Sequence, residues 1–265
     1  MPFPTFAGFR KNFFPKFLKI FFANKNPKFC RKKFFFTEIH LRENFLGGIF
    51  MKNLIAINGS PRKNKNTAQL LQNALQGAKD SGANAEIVNP YSLNFKGCTS
   101  CFFCKLRSKE HGFCAMKDDL TPILEKIKKS DAIIFGTPVY FMNFSSGMLA
   151  FIERLFFPNY IYNNEIPTVF PKKLPNAFFY TMNMTENHFK QFNMAEKFAI
   201  YEGTAERILQ VKPKILYAFN TVQFNDYSKY ESSIFDAEEK FAYREKNFDE
   251  LCKQAYEIGK NLVAE

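Results

Sequence analysis

Four of the chain's six cysteines crowd into one short stretch with the spacing Cys98-x2-Cys101-x2-Cys104-x9-Cys114. Thiols this close have three chemistries open to them. Three cysteines at x2, x2 spacing can wrap one corner of a cubane cluster while a distant fourth supplies the last iron ligand, which makes [4Fe-4S] one reading. Four thiolates also satisfy tetrahedral zinc. The third reading is a set of reduced thiols with no metal. The nine-residue last gap makes Cys114 the outlier of the candidate ligand set. No secretory signal is legible, so the expected compartment is the cytoplasm, where disulfides do not persist. Cys252 lies at an apolar helix position and reads as a structural thiol.

Two further stretches carry chemistry. "GSPRKNKNT", Gly59 to Thr67, follows an apolar run and leads into a helical pattern. Gly59 permits a tight turn, Ser60 and Thr67 offer hydroxyls, and Arg62 offers a planar charged fork. Asn66 or Thr67 can cap a helix whose free N–H groups and dipole favour an anion. Together they suit a phosphate monoester. Neither G-x-x-x-x-G-K-[ST] for nucleoside triphosphates nor G-x-G-x-x-G for a dinucleotide is present. The second stretch, "GTPVYF", sets Pro138, Val139, Tyr140 and Phe141 after another apolar run: Tyr140 and Phe141 offer flat faces for a ring shielded from water and Pro138 stiffens the approach, or Val139, Tyr140 and Phe141 are ordinary core and surface residues. His111 lies in the cysteine stretch and reads as dispensable; with His188 it leaves a hydrolytic triad little to work with.

The elements that must position these residues alternate regularly. Apolar runs at Lys52–Asn58, Ala85–Val88, Asp131–Gly136, Ala177–Met182 and Lys214–Phe219 read as buried strands. Helix-period segments separate them: Asn66 or Thr67 to about Ser81, Asp118 as a cap to Ser130, Ser145–Phe156, and Glu186–Gln210. A final helix carries Phe248, Leu251, Cys252, Ala255, Ile258 and Leu262 inward. Five strands apolar on both sides, alternating with five helices, predict an α/β fold with a doubly wound parallel sheet covered on both faces. In such sheets ligands sit beyond the carboxyl ends of the strands, and each chemical stretch follows a strand. Phe157–Asn176, with four prolines, is long for a connector and reads as a lid or subunit contact.

The whole pattern resembles the flavodoxin-like superfamily, in particular its NAD(P)H-dependent FMN reductase and iron-sulfur flavoprotein branches. Those families have a strand, then G-S-x-R-x-x-x-N-T, then a helix; Gly59, Ser60, Arg62, Asn66 and Thr67 stand at those places. Gly136 to Leu155 is similar to their G-[ST]-P-x-Y-x loop, which lines the isoalloxazine ring. The cysteine run is similar to that of the iron-sulfur flavoproteins, with a longer last gap, and several cluster-free reductases retain such thiols. True flavodoxins carry a shorter phosphate loop without the arginine and are acidic, so the resemblance is to the reductase branch. It covers nearly all of residues 51–265 and implies a flavodoxin-like sheet of five strands. The cofactor implied is FMN, with Ser60, Arg62, Asn66 and Thr67 at its phosphate and Pro138, Val139, Tyr140 and Phe141 along the flavin. Asn183 is a further candidate for a ring or ribitol contact. NAD(P)H is the implied co-substrate, and the acceptor is a quinone, a small molecule or a redox protein. No side chain is expected to perform covalent chemistry, and a homo-dimer or homo-tetramer is implied. A non-enzymatic electron carrier is the alternative.

Composition divides the chain in two. The net charge is +12, but residues 1–50 hold 10 Lys and Arg against 2 Asp and Glu, and 14 of the 35 Phe. The remaining 215 residues hold 27 basic against 23 acidic groups, so no chain-wide basic surface for nucleic acid is expected. Lysines interrupt each apolar run of the extension before it reaches spanning length, and no membrane partner is expected. Met51 opens a strand pattern of the kind that begins a domain. Residues 1–50 therefore read as a disordered extension or an upstream region translated from too early a start, with a basic segment lying on anionic membranes as the alternative.

Overall fold

A computed structural model describes residues Met51–Ala264. The Phe- and Lys-rich extension, with Cys30, lies outside the described residues. From Met51 the chain forms β1 (Asn53–Asn58), α1 (Asn66–Asp80) and β2 (Asn84–Val88). A long loop carrying the four cysteines leads to α2 (Thr121–Lys129), β3 (Ala132–Tyr140), the short β4 (Asn143–Phe144) and α3 (Ser146–Asn159). Then come β5 (Asn176–Thr181), α4 (Glu186–Gln191), α5 (Met194–Leu209), β6 (Lys214–Ala218) and α6 (Ala237–Ala264).

The five long strands run parallel in the order β2-β1-β3-β5-β6, and β4 pairs antiparallel with the end of β3. This is the expected five-stranded doubly wound sheet, with the chain reversing its direction of travel across the sheet between β1 and β3. Side chains alternate between two cores, as the pleat requires. Ile55, Ile57, Ile133, Phe135, Phe178 and Tyr180 point to the face covered by α2, α3 and α5. Leu54, Ala56, Ile134, Ala177 and Phe179 point to the face covered by α1 and α6. The first face is strongly aromatic: Phe135 stacks on Phe178 at 4.7 Å and Tyr180 on Phe198 at 4.4 Å. The buried Tyr180 hydroxyl is satisfied by donating to Glu202 Oε1 at 2.9 Å. On the second face the two helices touch backbone to backbone. A Cβ on Gly259 would run into the Ala74 carbonyl, and one on Gly77 into that of Tyr256.

Three elements differ from the sequence expectation. β3 runs through Tyr140, well past the expected end at Gly136, because β5 continues to pair with it as far as Pro138 opposite Thr181. β1 stops at Asn58 opposite Gly136, and the last residues of β3 pair with β4 instead, Val139 opposite Phe144 and Tyr140 opposite Asn143. Phe141 and Met142 both take positive φ, 48° and 62°, and turn the chain tightly into β4. The expected helix over Glu186–Gln210 is two helices, broken where Asn193 enters the left-handed region at φ 49°. Asp118 does not cap α2, whose N-cap is Leu120 with no side-chain hydrogen bond. Its carboxylate accepts the Leu120 N–H at 3.2 Å, just ahead of the helix, and is gripped by Arg154.

Candidate functional site

The first candidate site lies beyond the carboxyl ends of β1, β3 and β5. Asn58, the last residue of β1, holds the turn: its Oδ1 accepts the Ser60 N–H at 3.2 Å and its Nδ2 donates to Asn89 Oδ1 at 2.9 Å. Gly59 N–H donates to Gly136 O at 2.7 Å, tying the first loop to β3. A Cβ at Gly59 would stand 2.8 Å from the Met148 Cβ, so the close approach of α3 to this turn needs glycine. Ser60 Oγ accepts the Arg62 N–H at 3.1 Å, and Ser145, the N-cap of α3, donates its hydroxyl to the Gly59 carbonyl. Two strand ends and one helix start are thereby locked around a single turn.

α1 then opens without a side-chain cap. Its N-cap is Lys65, whereas Ser145 and Thr185 cap α3 and α4 by accepting from Met148 N–H and His188 N–H. An uncapped N-terminus next to a serine and an arginine is a place for an anion. Thr67 is buried, its hydroxyl 2.7 Å from that of Thr181 at the end of β5. Asn66 is gripped from both sides: Nδ2 donates to Val222 O at 2.9 Å, and Oδ1 accepts from Arg244 Nη1 at 2.7 Å. Arg62 Nη2 donates to Gln223 O at 2.6 Å.

Ser60, Arg62, Asn66 and Thr67 line one cleft of about 90 Å³ together with Pro138, Val139, Tyr140 and Asn183. The sequence-predicted phosphate loop and the β3 stretch thus meet. Tyr140 is half-buried at the cleft, and burial raises its hydroxyl pKa, with the Tyr91 hydroxyl adding to the shift and Arg62 opposing it. Phe141 is the exception among the expected residues. It sits at the tip of the β3–β4 turn, fully solvent-exposed, and is absent from the cleft lining, because its positive φ turns the chain away from the strand line. Lys65, Thr181, Thr221 and Gln223 also line the cleft and were not singled out by sequence. Two of them, Thr181 and Thr221, end or follow strands at the same edge, and that position was the available signal.

The four cysteines form the second candidate site. Cys98, Cys101, Cys104 and Cys114, including the outlying one, line one small pocket of about 10 Å³ with Glu153, Arg154 and Phe157 of α3. The loop is seated on that helix: Cys98 N–H donates to Glu153 Oε2 at 3.0 Å, and Lys105 Nζ donates to the carbonyls of Phe157 and Tyr160. Ser100 and Phe102 take positive φ, and the Ser100 N–H reaches the Cys98 sulfur at 3.4 Å. Burial pushes the Cys104 thiol pKa up; the charge of Lys105 opposes this, and Cys114 and Cys98 add to it. His111 Nε2 donates to the Leu106 carbonyl, 3.2 Å away, and the ring stays within the loop's own hydrogen bonding.

Arg154 is the residue sequence reasoning missed here. Its side chain is 0% exposed, and it grips Asp118 in a fork, at 2.6 Å and 3.1 Å, while donating to Lys96 O at 2.8 Å. Its Nε has no hydrogen-bond partner among the described residues. Burial works against the guanidinium charge, but Asp118 and then Cys114 hold its pKa above the ordinary value. For Asp118, burial is outweighed by the same pairing, and its carboxyl sits below the usual range. The signal was there: Glu153 and Arg154 interrupt the apolar run "MLAFIERLFF". Four thiols converging beside a buried cation with a spare donor fit an anionic thiolate-bound group in residue type and charge. Among the described residues, no three His, Cys, Asp or Glu side chains are arranged as a metal site.

Residues 52–168 match the family model of NADPH-dependent FMN reductases. An iron-sulfur flavoprotein of Archaeoglobus fulgidus is 40% identical over 101 residues, which cover 38% of this chain and 47% of the relative. One from Methanosarcina thermophila is 32% identical over 101 residues, covering 38% and 51%. The chain spans about half the length of these curated relatives. Among solved structures, an NAD(P)H:quinone oxidoreductase from Methanothermobacter marburgensis superposes with a TM-score of 0.59 at 16% identity, over 80% of this chain and 97% of that one. An FMN-dependent NADH-azoreductase from Bacillus anthracis, in complex with FMN, gives 0.57 at 11% identity over 80% and 100%. The match over residues 52–168 bears out the resemblance drawn from the motifs there, and the superposed structures bear out the flavodoxin-like fold.

Proposed function

We propose that this chain, similar over residues 52–168 to NADPH-dependent FMN reductases, is an FMN-dependent oxidoreductase of the cytoplasm. It would take electrons from NAD(P)H and pass them to a quinone, a small molecule or a redox protein. One observation carries the reading: the phosphate loop and the end of β3 line a single cleft at the switch point of the sheet. FMN, when bound, supplies hydride acceptance from the nicotinamide and release of the electrons to the acceptor. The chain's own part is binding and orientation. Ser60, Asn66, Thr67, the Arg62 guanidinium and the open N-terminus of α1 hold the phosphate. Pro138, Val139 and Tyr140 would lie along the ring and shield it from water, and Asn183 lines the same cleft. Phe141, exposed at the turn beside this cleft, suits a contact with a second copy, in keeping with a homo-dimer or homo-tetramer.

The finer reading of the cysteine pocket is a [4Fe-4S] cluster held by Cys98, Cys101, Cys104 and Cys114, with zinc and free thiols as its competitors. Its support is the convergence of the four thiols beside Arg154 and the likeness to iron-sulfur flavoproteins. The second reading is an electron carrier that takes no hydride. Protein produced anaerobically and titrated with NADPH and NADH tests both readings. Reduction of the flavin bands supports the reductase. A broad absorbance beneath those bands, bleached by reductant and lost in Cys101→Ala, supports the cluster, and its absence in the wild type excludes it.

A further inference from the structure

A second cleft, of about 530 Å³, adjoins the first and shares Arg62, Lys65 and Gln223 with it. Its other walls come from the loop after β6, which contributes Phe224, Asp226, Lys229 and Tyr230. Three cations face one carboxylate, a local charge of +2. That carboxylate is already engaged: Asp226 accepts from the Ser228 N–H and hydroxyl at 3.0 Å and 2.6 Å, and from Lys229 at 3.4 Å. Phe224 and Tyr230 stack face to face, 4.0 Å apart and 12° from parallel, and Tyr230 is 53% exposed, so a flat apolar face borders the charge.

The loop is held in place. Gln223 O accepts from Arg62, Val222 O from Asn66, Asn225 Oδ1 from Lys65 at 2.9 Å, and the Gln223 N–H donates to the Tyr227 hydroxyl at 3.1 Å. A single phosphate would not fill such a cleft, and an aromatic platform has no use for one. Cations beside a π-face, next to the phosphate loop, match a phosphorylated nucleoside. We infer that this cleft takes the adenosine 2′-phosphate end of the reductant, so that Lys65, Lys229 and Tyr230 select NADPH over NADH. Arg62 belongs to both clefts, and a dinucleotide lying along the flavin would pass it on the way from the Tyr140 end to the Tyr230 end.

The inference rests on the reductase reading, and two arms keep them apart. On the full, FMN-loaded chain, kcat/KM is measured with NADPH and NADH, and 2′,5′-ADP, 5′-AMP and inorganic phosphate are titrated calorimetrically. Wild type should favour NADPH, and Lys229→Ala should lower the NADPH-to-NADH ratio by about tenfold, the worth of one charge-assisted contact. 2′,5′-ADP should bind about tenfold more tightly than 5′-AMP, and Lys229→Ala should remove that margin. An unchanged ratio, or equal binding of 2′,5′-ADP and 5′-AMP, overturns the assignment. So does inorganic phosphate binding as tightly as 2′,5′-ADP, which would make the cleft a plain anion site. If neither dinucleotide reduces the flavin, the reductase reading falls alone, because the 2′,5′-ADP arm still reads the cleft.

Discussion

Arg62 and Arg154 are two guanidiniums with opposite tasks. Arg62 is held by a backbone carbonyl, Gln223 O, at the mouth of a cleft, so a phosphate can replace or share that partner. Truncating it removes a charge-assisted bond, worth about 1.5–3 kcal/mol. Arg62→Ala should therefore weaken FMN binding by about ten- to a hundredfold, read as quenching of flavin fluorescence on titration; an unchanged affinity would remove Arg62 from the phosphate site. Arg154 is sealed under the cysteine loop, and its charge is balanced by Asp118. Asp118→Asn leaves that charge unpaired, which in a buried pair costs about 3–5 kcal/mol. The loss should appear in urea unfolding of the variant, and wild-type stability there would contradict the pairing. The pH dependence has a definite sign. The Asp118 pKa is depressed in the folded chain, so its contribution is complete above the ordinary carboxylate value of about 3.9 and is lost as pH falls through the lower folded value.

At the scale of elements, α1 joins the site to the core. Its open first turn faces the cleft, while its far half lies against α6 with no side chain between the two backbones at Gly77 and Gly259. Gly259→Val should separate the helices and cost about 3 kcal/mol, the upper range for overpacking. The expected reading is a lower denaturation midpoint together with weaker FMN binding, because the α1 N-terminus moves with the helix. A midpoint equal to wild type would show that the helices have room. The five strands and the inward faces of α1 and α6 were legible as apolar runs and helical periods, since burial on both faces leaves that signature. The length of β3 was not. Thr137 and Pro138 read as loop residues, and only pairing with β5, distant in sequence, keeps them extended. The break at Asn193 was hidden for a similar reason, since "QFNMAEKF" carries helical spacing on both sides of it.

For the whole molecule, one edge of the sheet gathers the phosphate loop, the end of β3 and the loop after β6, while α3 runs from that edge to the cysteine pocket. The phosphate-loop and β3 candidates were legible because fixed strand-to-helix turns carry them, so order along the chain already gives their place. Phe141 stands outside the cleft lining because a two-residue turn decides its direction. Lys229 and Tyr230 were invisible because nothing in the sequence says that the loop after β6 folds back onto α1. All of this leads to one central claim, that a flavin in the Ser60–Tyr140 cleft accepts hydride from a nicotinamide. Its most direct test is anaerobic titration of the FMN-loaded chain with NADPH, followed through the visible flavin bands. Those bands should bleach in proportion to the NADPH added, and return when a quinone is supplied. Flavin that stays oxidised with both NADPH and NADH, yet bleaches with dithionite, would contradict that claim.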